Sequence, residues 1–150
     1  MTRSSTAPRT DKRWLSWFSA LTGLAGLVVL LQGLWAGIFV KEHQDYPHTW
    51  IVVHSVGAKV AFALAVLAAV LAFWKLRPRR DLWIGGTAFA LLILLESYVG
   101  GLIGQHQSLT ALHFPLAMAL VGLAVWLPIR AGRHSQAGGE LANSSTSSLS

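Results

Sequence analysis

Hydrophobic residues along this chain are gathered into four long blocks, at 14–40, 50–74, 82–104 and 109–129, separated by short polar stretches. Each block exceeds the roughly 20 helical residues that cross a hydrocarbon core, so each predicts a membrane-spanning helix. The connections are KEHQDYPHT (41–49), RPRRD (77–81) and QHQS (105–108), short enough to force antiparallel neighbours. The pattern predicts an all-α, integral membrane up-down-up-down four-helix bundle. It divides the chain into a polar N-terminus (1–13), a transmembrane domain (14–130) and a Ser-, Gly- and Asn-rich tail (131–150), both ends expected to be disordered. The first block follows basic residues, as a signal peptide does. Its uncharged run far exceeds a 7–15-residue signal core and ends without a small-residue cleavage site, so it is expected to be retained as the first helix.

Composition agrees: 53% of residues are hydrophobic and 12% charged, where soluble domains carry about a quarter as charge. The net charge of +6 would raise nucleic acid as a partner in a soluble chain. Here the distribution explains it. Arg3, Arg9, Lys12 and Arg13 precede the first helix, Lys75, Arg77, Arg79 and Arg80 lie between the second and third, and Arg130 and Arg133 follow the fourth. The other two connections hold only Lys41. The positive-inside rule therefore predicts cytoplasmic termini, and no nucleic-acid partner. Trp14, Trp17, Trp74, Trp83 and Trp126 fall near the inner interface, and Trp35, Tyr46 and Trp50 near the outer one. Cysteine is absent, which excludes disulfides, thiolate metal sites and thiol catalysis.

The two helical hairpins show a weak internal repeat. LLQGLWAGI (30–38) aligns with LLESYVGGL (94–102), and VVHSVGA (52–58) with ALHFPLA (111–117). This places Gln32 over Glu96, Gly37 over Gly101 and His54 over His113, so rare polar residues coincide as well as small ones. At 1.5 Å per residue, His54 and His113 share a level about 6 Å below the outer helix ends. Gln32, Lys59 and Glu96 lie at about 12 to 14 Å. Ionisable groups at such depth are costly unless paired or facing a cavity, which makes them candidates for function.

Two histidines at equal depth on the second and fourth helices, diagonal in such a bundle, suit axial ligation of haem iron. The alternative is a hydrogen bond between helices. Gly33, Gly37, Gly57, Gly100, Gly101 and Gly104 would let a flat ligand approach the backbone, or serve tight packing through the G-x-x-x-G pairs Gly33/Gly37 and Gly100/Gly104. Lys59 and Glu96 are expected to form a buried ion pair; otherwise Glu96 exchanges protons, or Lys59 neutralises a cofactor carboxylate. Gln32 reads as a hydrogen-bonding group. His43, His48 and His106, with Glu42 and Asp45 nearby, read as solvated loops, since their spacing fits no metal template. Pro115 is expected to mark the first turn of the fourth helix or a kink. No phosphate loop, Ser/His/Asp set or adjacent acidic pair is present, which leaves hydrolase and nucleotide chemistry without support.

LLQGLWAG, H-S-V-G, LLESYVGG and A-L-H, in this order over 14–130, resemble one half of the haem A synthase family of cytochrome oxidase assembly proteins. The resemblance implies a b-type haem with His54 and His113 as the axial metal ligands, and Gln32, Gly37, Gly57, Lys59, Glu96 and Gly101 as its surroundings. It also implies a respiratory-chain or oxidase-assembly partner in a bacterial plasma membrane. Haem A synthases carry a glutamate three residues before a helix-2 histidine. Ile51 and Thr110 stand at those positions here, which implies the haem-binding scaffold without the synthase reaction. The chain also resembles small bacterial four-helix membrane proteins with Gln in helix 1 and Leu-His opening helix 4, a family that implies no activity. The sequence thus points to haem-based electron transfer or haem handling. The alternative is a cofactor-free transporter or accessory subunit using the Glu96/Lys59 layer. For topology, cysteines replacing Ser5 and Ser148 should be shielded from an impermeant thiol reagent in intact cells, and one replacing Gln44 labelled. The reverse pattern would invert the orientation.

Overall fold

A computed structural model of the chain describes residues 9–41 and 48–147, with side chains over 12–37 and 49–137. It is all-α: α1 (Arg9–Lys41), α2 (His48–Lys75), α3 (Arg80–Leu102) and α4 (Thr110–Ser147), with one 3-10 turn, Gln107–Leu109, ahead of α4. All four helices are long and apolar enough to cross a membrane, over Lys12–Gly37, Thr49–Lys75, Arg80–Leu102 and Gln107–Ala137. In lipid, a spanning segment must satisfy its backbone internally, and a helix does so. Hydroxyls on the helices obey the same constraint. Thr22 Oγ1 donates to Phe18 O at 2.8 Å, and Ser97 Oγ donates to Ile93 O at 2.8 Å, each one turn back along its own helix.

Helix ends follow local chemistry. Pro78 supplies no amide donor, and the chain turns just before it: Leu76 N still donates to Ala72 O at 2.9 Å, while Arg79 N turns back to Leu76 O at 2.8 Å. Asp81 stands in the first turn of α3, where a negative charge suits the helix dipole. At the other end α3 closes with His106 N donating to Leu102 O at 2.9 Å, and the 3-10 turn leads into α4.

The helices form a four-helix bundle. α1 packs on α2 and α4, and α3 packs on the same two, so α2 and α4 stand across the bundle from each other. The core is built from Leu15, Phe18 and Ala25 of α1, an alanine stripe on α2 (Ala61, Ala65, Ala68, Ala72), Leu82, Phe89 and Ile93 of α3, and Leu120, Ala124 and Leu127 of α4. These positions recur at three- and four-residue steps and so define one inward face per helix. Burial is uneven along the bundle. The core fills the half next to the 76–79 turn. Beyond Gly26, Ala61, Ile93 and Leu120, towards the 103–109 connection, only Gly57 and Val99 are buried among the described residues.

The helices outrun the hydrophobic blocks. α1 already includes residues 9–13, and α4 continues through the segment from Ala131, expected to be disordered, as far as Ser147. The reason is visible in its side chains. Ala131 is fully buried, and the Asp81 carboxylate accepts from Arg130 Nε and pairs with His134 Nε2 at 2.8 Å, tying the extension to α3. Pro115 lies inside α4 beyond its first turn, and Pro128 lies further along it. His48 opens α2. Glu42, His43, Asp45 and Tyr46 fall outside the described residues, as do 1–8 and 148–150.

At the end with the 76–79 turn, cations and aromatic rings interleave: Lys75 Nζ lies 5.2 Å from the Trp14 ring centroid and the Arg77 guanidinium 5.3 Å from that of Phe73. This is the arrangement of an interfacial belt. Helix spacing in the core is set by close approaches such as Gly26, where a Cβ would stand 2.7 Å from Ala124 Cβ, whereas a Cβ at Gly23 meets nothing within 4 Å. Gly26→Leu should therefore lower unfolding stability by about 1 to 3 kcal/mol through overpacking. Gly23→Leu should leave it unchanged or slightly raised, both measured by reversible unfolding in mixed micelles.

Candidate functional site

The four polar residues aligned by the internal repeat come one from each helix: Gln32 from α1, His54 from α2, Glu96 from α3 and His113 from α4. All lie in the loosely packed half. His113 Nδ1 stands 3.0 Å from Glu96 Oε1, with the two side chains 20% and 13% exposed. The carboxylate oxygen lies off the line of an N–H on Nδ1, so the two groups stand close without an aligned hydrogen bond. The imidazole reaches this position because α3 carries glycine one turn after Glu96: a Cβ on Gly100 would stand 3.0 Å from His113 Cε1. Glu96 and Gly100 share a face of α3, and together they seat the ring.

The first hairpin repeats the device with different chemistry. Gln32 and Trp35 of α1 lie over Gly57 of α2, where a Cβ would stand 2.6 Å from the Trp35 ring and closer still to the Gln32 amide. His54 precedes Gly57 by about one turn and shares its face. Its ring is half-buried against the backbone of Gln32, within electrostatic range of both His113 and Glu96. In each half, the polar residue late in the first helix therefore lies beside the histidine that opens the second.

Both amide atoms of Gln32 and Oε2 of Glu96 are buried without a hydrogen-bond partner in the protein. Each such group forfeits about 1 to 3 kcal/mol relative to a hydrogen-bonded state. They are the atoms to which an added polar group would bond. No family model, curated protein or solved structure matches this chain. The site is therefore argued from its own geometry.

That geometry revises several sequence-based expectations. Glu96 takes His113 as its ionic partner, and no ion pair joins it to Lys59, which is exposed on α2. Lys59 stands two residues from Gly57, about 200° around the helix from the face that carries His54 and Gly57, so it points away from the bundle axis. Gly57 and Gly100 cradle side chains of this protein. Gly37 and Gly101 are exposed with nothing within 4 Å of a Cβ, so the structure does not bring them into the cluster. Gly33 and Gly104 are equally open, so the G-x-x-x-G pairs do not knit the helices of this chain together. His106 is exposed on the connection before α4. Among the described residues, no three His, Asp or Glu side chains are placed to hold a metal ion by themselves.

Sequence reasoning missed Trp35 at the α1–α2 contact and the role of Gly100 as a seat for His113. The four-residue spacing of Glu96 and Gly100 was the available signal for the second. In a double-mutant cycle, Glu96→Gln and His113→Asn should show a coupling energy of about 0.5 to 3 kcal/mol. Glu96→Gln and Lys59→Met should add to within about 0.5 kcal/mol, as residues that do not meet.

Proposed function

We propose that the cluster is a bis-histidine b-type haem site. On this reading the protein acts in electron transfer or haem handling beside the respiratory chain, as a multi-pass protein of a bacterial plasma membrane. Its helices run up-down-up-down with both termini cytoplasmic, the orientation favoured by the basic residues. The observation that carries the reading is the placement of His54 and His113, on helices that face each other across the bundle, at the level where the interior is least packed. Imidazoles presented from opposite walls are the donor set that a haem iron takes on its two faces. The residues present fit that group.

Glu96 supports it. A carboxylate 3.0 Å from Nδ1 occupies that side of the His113 ring and leaves Nε2 as the nitrogen open to a metal, the side from which a histidine with a neighbouring carboxylate is usually ligated. Gly100 lets the ring lie against α3 and limits its rotation. The buried amide of Gln32 and Oε2 of Glu96 offer hydrogen bonds within the same layer. A haem bound here would supply a one-electron couple. The resemblance to half of a haem A synthase supports the same reading, and Ile51 and Thr110, in place of that family's glutamate, favour a carrier over a haem-modifying enzyme.

A second reading draws on one observation: Glu96, with a buried unpartnered oxygen beside an imidazole, is also an arrangement for exchanging protons within a membrane. It describes a cofactor-free transporter or accessory subunit, without the Lys59 partnership. The two readings separate on one measurement. Protein purified from a haem-replete host should show a Soret band and the sharp bands of low-spin six-coordinate haem on reduction. His54→Ala or His113→Ala should give a high-spin spectrum or loss of haem, and His106→Ala should leave the spectrum unchanged. Wild-type protein that stays haem-free and resists reconstitution, or a spectrum indifferent to both substitutions, would favour proton exchange.

A further inference from the structure

Lys59 is left outside the polar cluster, and the face of α2 that carries it has a pattern of its own. Val52, Val56, Lys59, Ala63, Val66 and Val70 follow one another at alternating four- and three-residue steps, the spacing of a heptad seam. Five of these side chains are exposed, and Val66 is partly so. The alanine stripe that holds α2 in the bundle, from Ala61 to Ala72, lies on the other side of the helix, about 160° away at 3.6 residues per turn. α2 therefore has two packing faces. One is taken up by α1 and α3, and the other is open.

A seam of valines alone would need no partner in lipid, because the surrounding tails are as apolar as the seam. Lys59 changes that. It lies about 13 Å from the outer helix end, a distance that a four-carbon stem shortens without closing. A cation at that depth is costly unless it is paired. Among the described residues it has no ionic partner: Glu96 stands against His113, and Asp81 is held by Arg130 and His134. Asp11 and Glu140 belong to the opposite ends of α1 and α4. Glu42 and Asp45 precede α2, whose first residue is three turns from Lys59. A second copy of the chain does not supply the counter-charge through this face either. Two copies related by a twofold axis along the membrane normal would set Lys59 against Lys59 at one level. A single lysine in an otherwise apolar seam is the position that fixes register and selects the partner.

We infer that the outward face of α2 docks a transmembrane helix of another protein, crossing at about 20° along positions 52–70, with an aspartate or glutamate of that helix paired to Lys59. Valine and alanine above and below the lysine let the two backbones approach, and the ion pair sets which partner is accepted. The surface lies on the far side of α2 from His54 and serves with or without haem.

Energy transfer between the labelled full-length protein and a synthetic single-span helix in phosphatidylcholine vesicles tests this. The probe carries valine and alanine along one heptad seam and, at the level of Lys59, either Glu, Gln or Lys. Wild type should bind the Glu probe about tenfold more tightly than the Gln probe, the scale of one interhelical polar contact in model helices, and the Lys probe least. Lys59→Met should erase this order, and Lys59→Glu should reverse it in favour of the Lys probe. Ala63→Phe crowds the seam and should weaken binding of the Glu probe about fivefold, whereas Met118→Phe, on the exposed face of α4, should leave it unchanged. Lys59→Met should not lower the thermal stability of the protein alone, since no group of the chain loses an ion pair. Helix content by circular dichroism shows that each variant is folded. Equal binding of the Glu and Gln probes, a preference that survives Lys59→Met, or indifference to Ala63→Phe would overturn the assignment. So would a Lys59→Met protein less stable than wild type, which would place the counter-charge within the chain, or association of two copies that Ala63→Phe abolishes.

Discussion

The bundle depends on the closeness of helix backbones in one half of its length. Lipid tails are as apolar as leucine, so helices in a bilayer gain little by hiding hydrophobic side chains from their surroundings and must be held by dispersion contacts instead. The alanine stripe of α2 and the glycine of α1 at Gly26 remove the side chains that would keep neighbours apart, and Phe18 and Phe89, both fully buried, fill the space that remains. Large rings packed on small residues give many contacts per unit of helix length. Because this half is self-sufficient, the other half is free to carry polar groups that would spoil a core.

That freedom has a physical cost, which the cluster limits in a specific way. Glu96 has His113 at its side, and Gly100 brings the ring within reach without displacing α3. On the other hairpin the Gln32 amide carries no charge, and Gly57 accepts it. The two hairpins are therefore alike in plan and unlike in chemistry: one sets a carboxylate beside its histidine, the other an amide, so a ligand held between the two rings meets two unequal surroundings.

The number of helices was legible because lipid imposes a simple length rule, and the four blocks obey it. That the polar residues of the two hairpins gather in one half of the bundle was legible because position along a helix is a matter of counting. What counting does not give is azimuth. Counting gives Lys59 and Glu96 about the same depth, yet Lys59 turns outward while Glu96 meets His113, counted about four residues nearer the outer end, since the four-residue step to Gly100 opens that side of α3. Likewise the composition change at Ala131 signals a loss of hydrophobicity, not of helix. α4 continues there because Asp81, in the first turn of α3 and far away in sequence, supplies an anchor that no local pattern announces.

The continuation of α4 ties the separate features of the molecule together. One helix presents His113 near its start, packs Ala124 against Gly26 of α1 in its middle, and is held by Asp81 of α3 through Arg130 and His134 further along. Proline interrupts its hydrogen-bond ladder twice, at Pro115 and Pro128, and each interruption leaves the carbonyl four residues earlier without its usual donor. The first falls beside His113 and the second beside α1, where the Ala124 carbonyl faces Gly26 and Ser19 bonds to Pro128 itself. Irregular backbone in a membrane is sustained where neighbouring polar groups or close-packed protein take up the freed carbonyls. The two places at which α4 departs from a regular ladder are thus also the two places at which α1 and α3 bring glycine or a polar side chain against it.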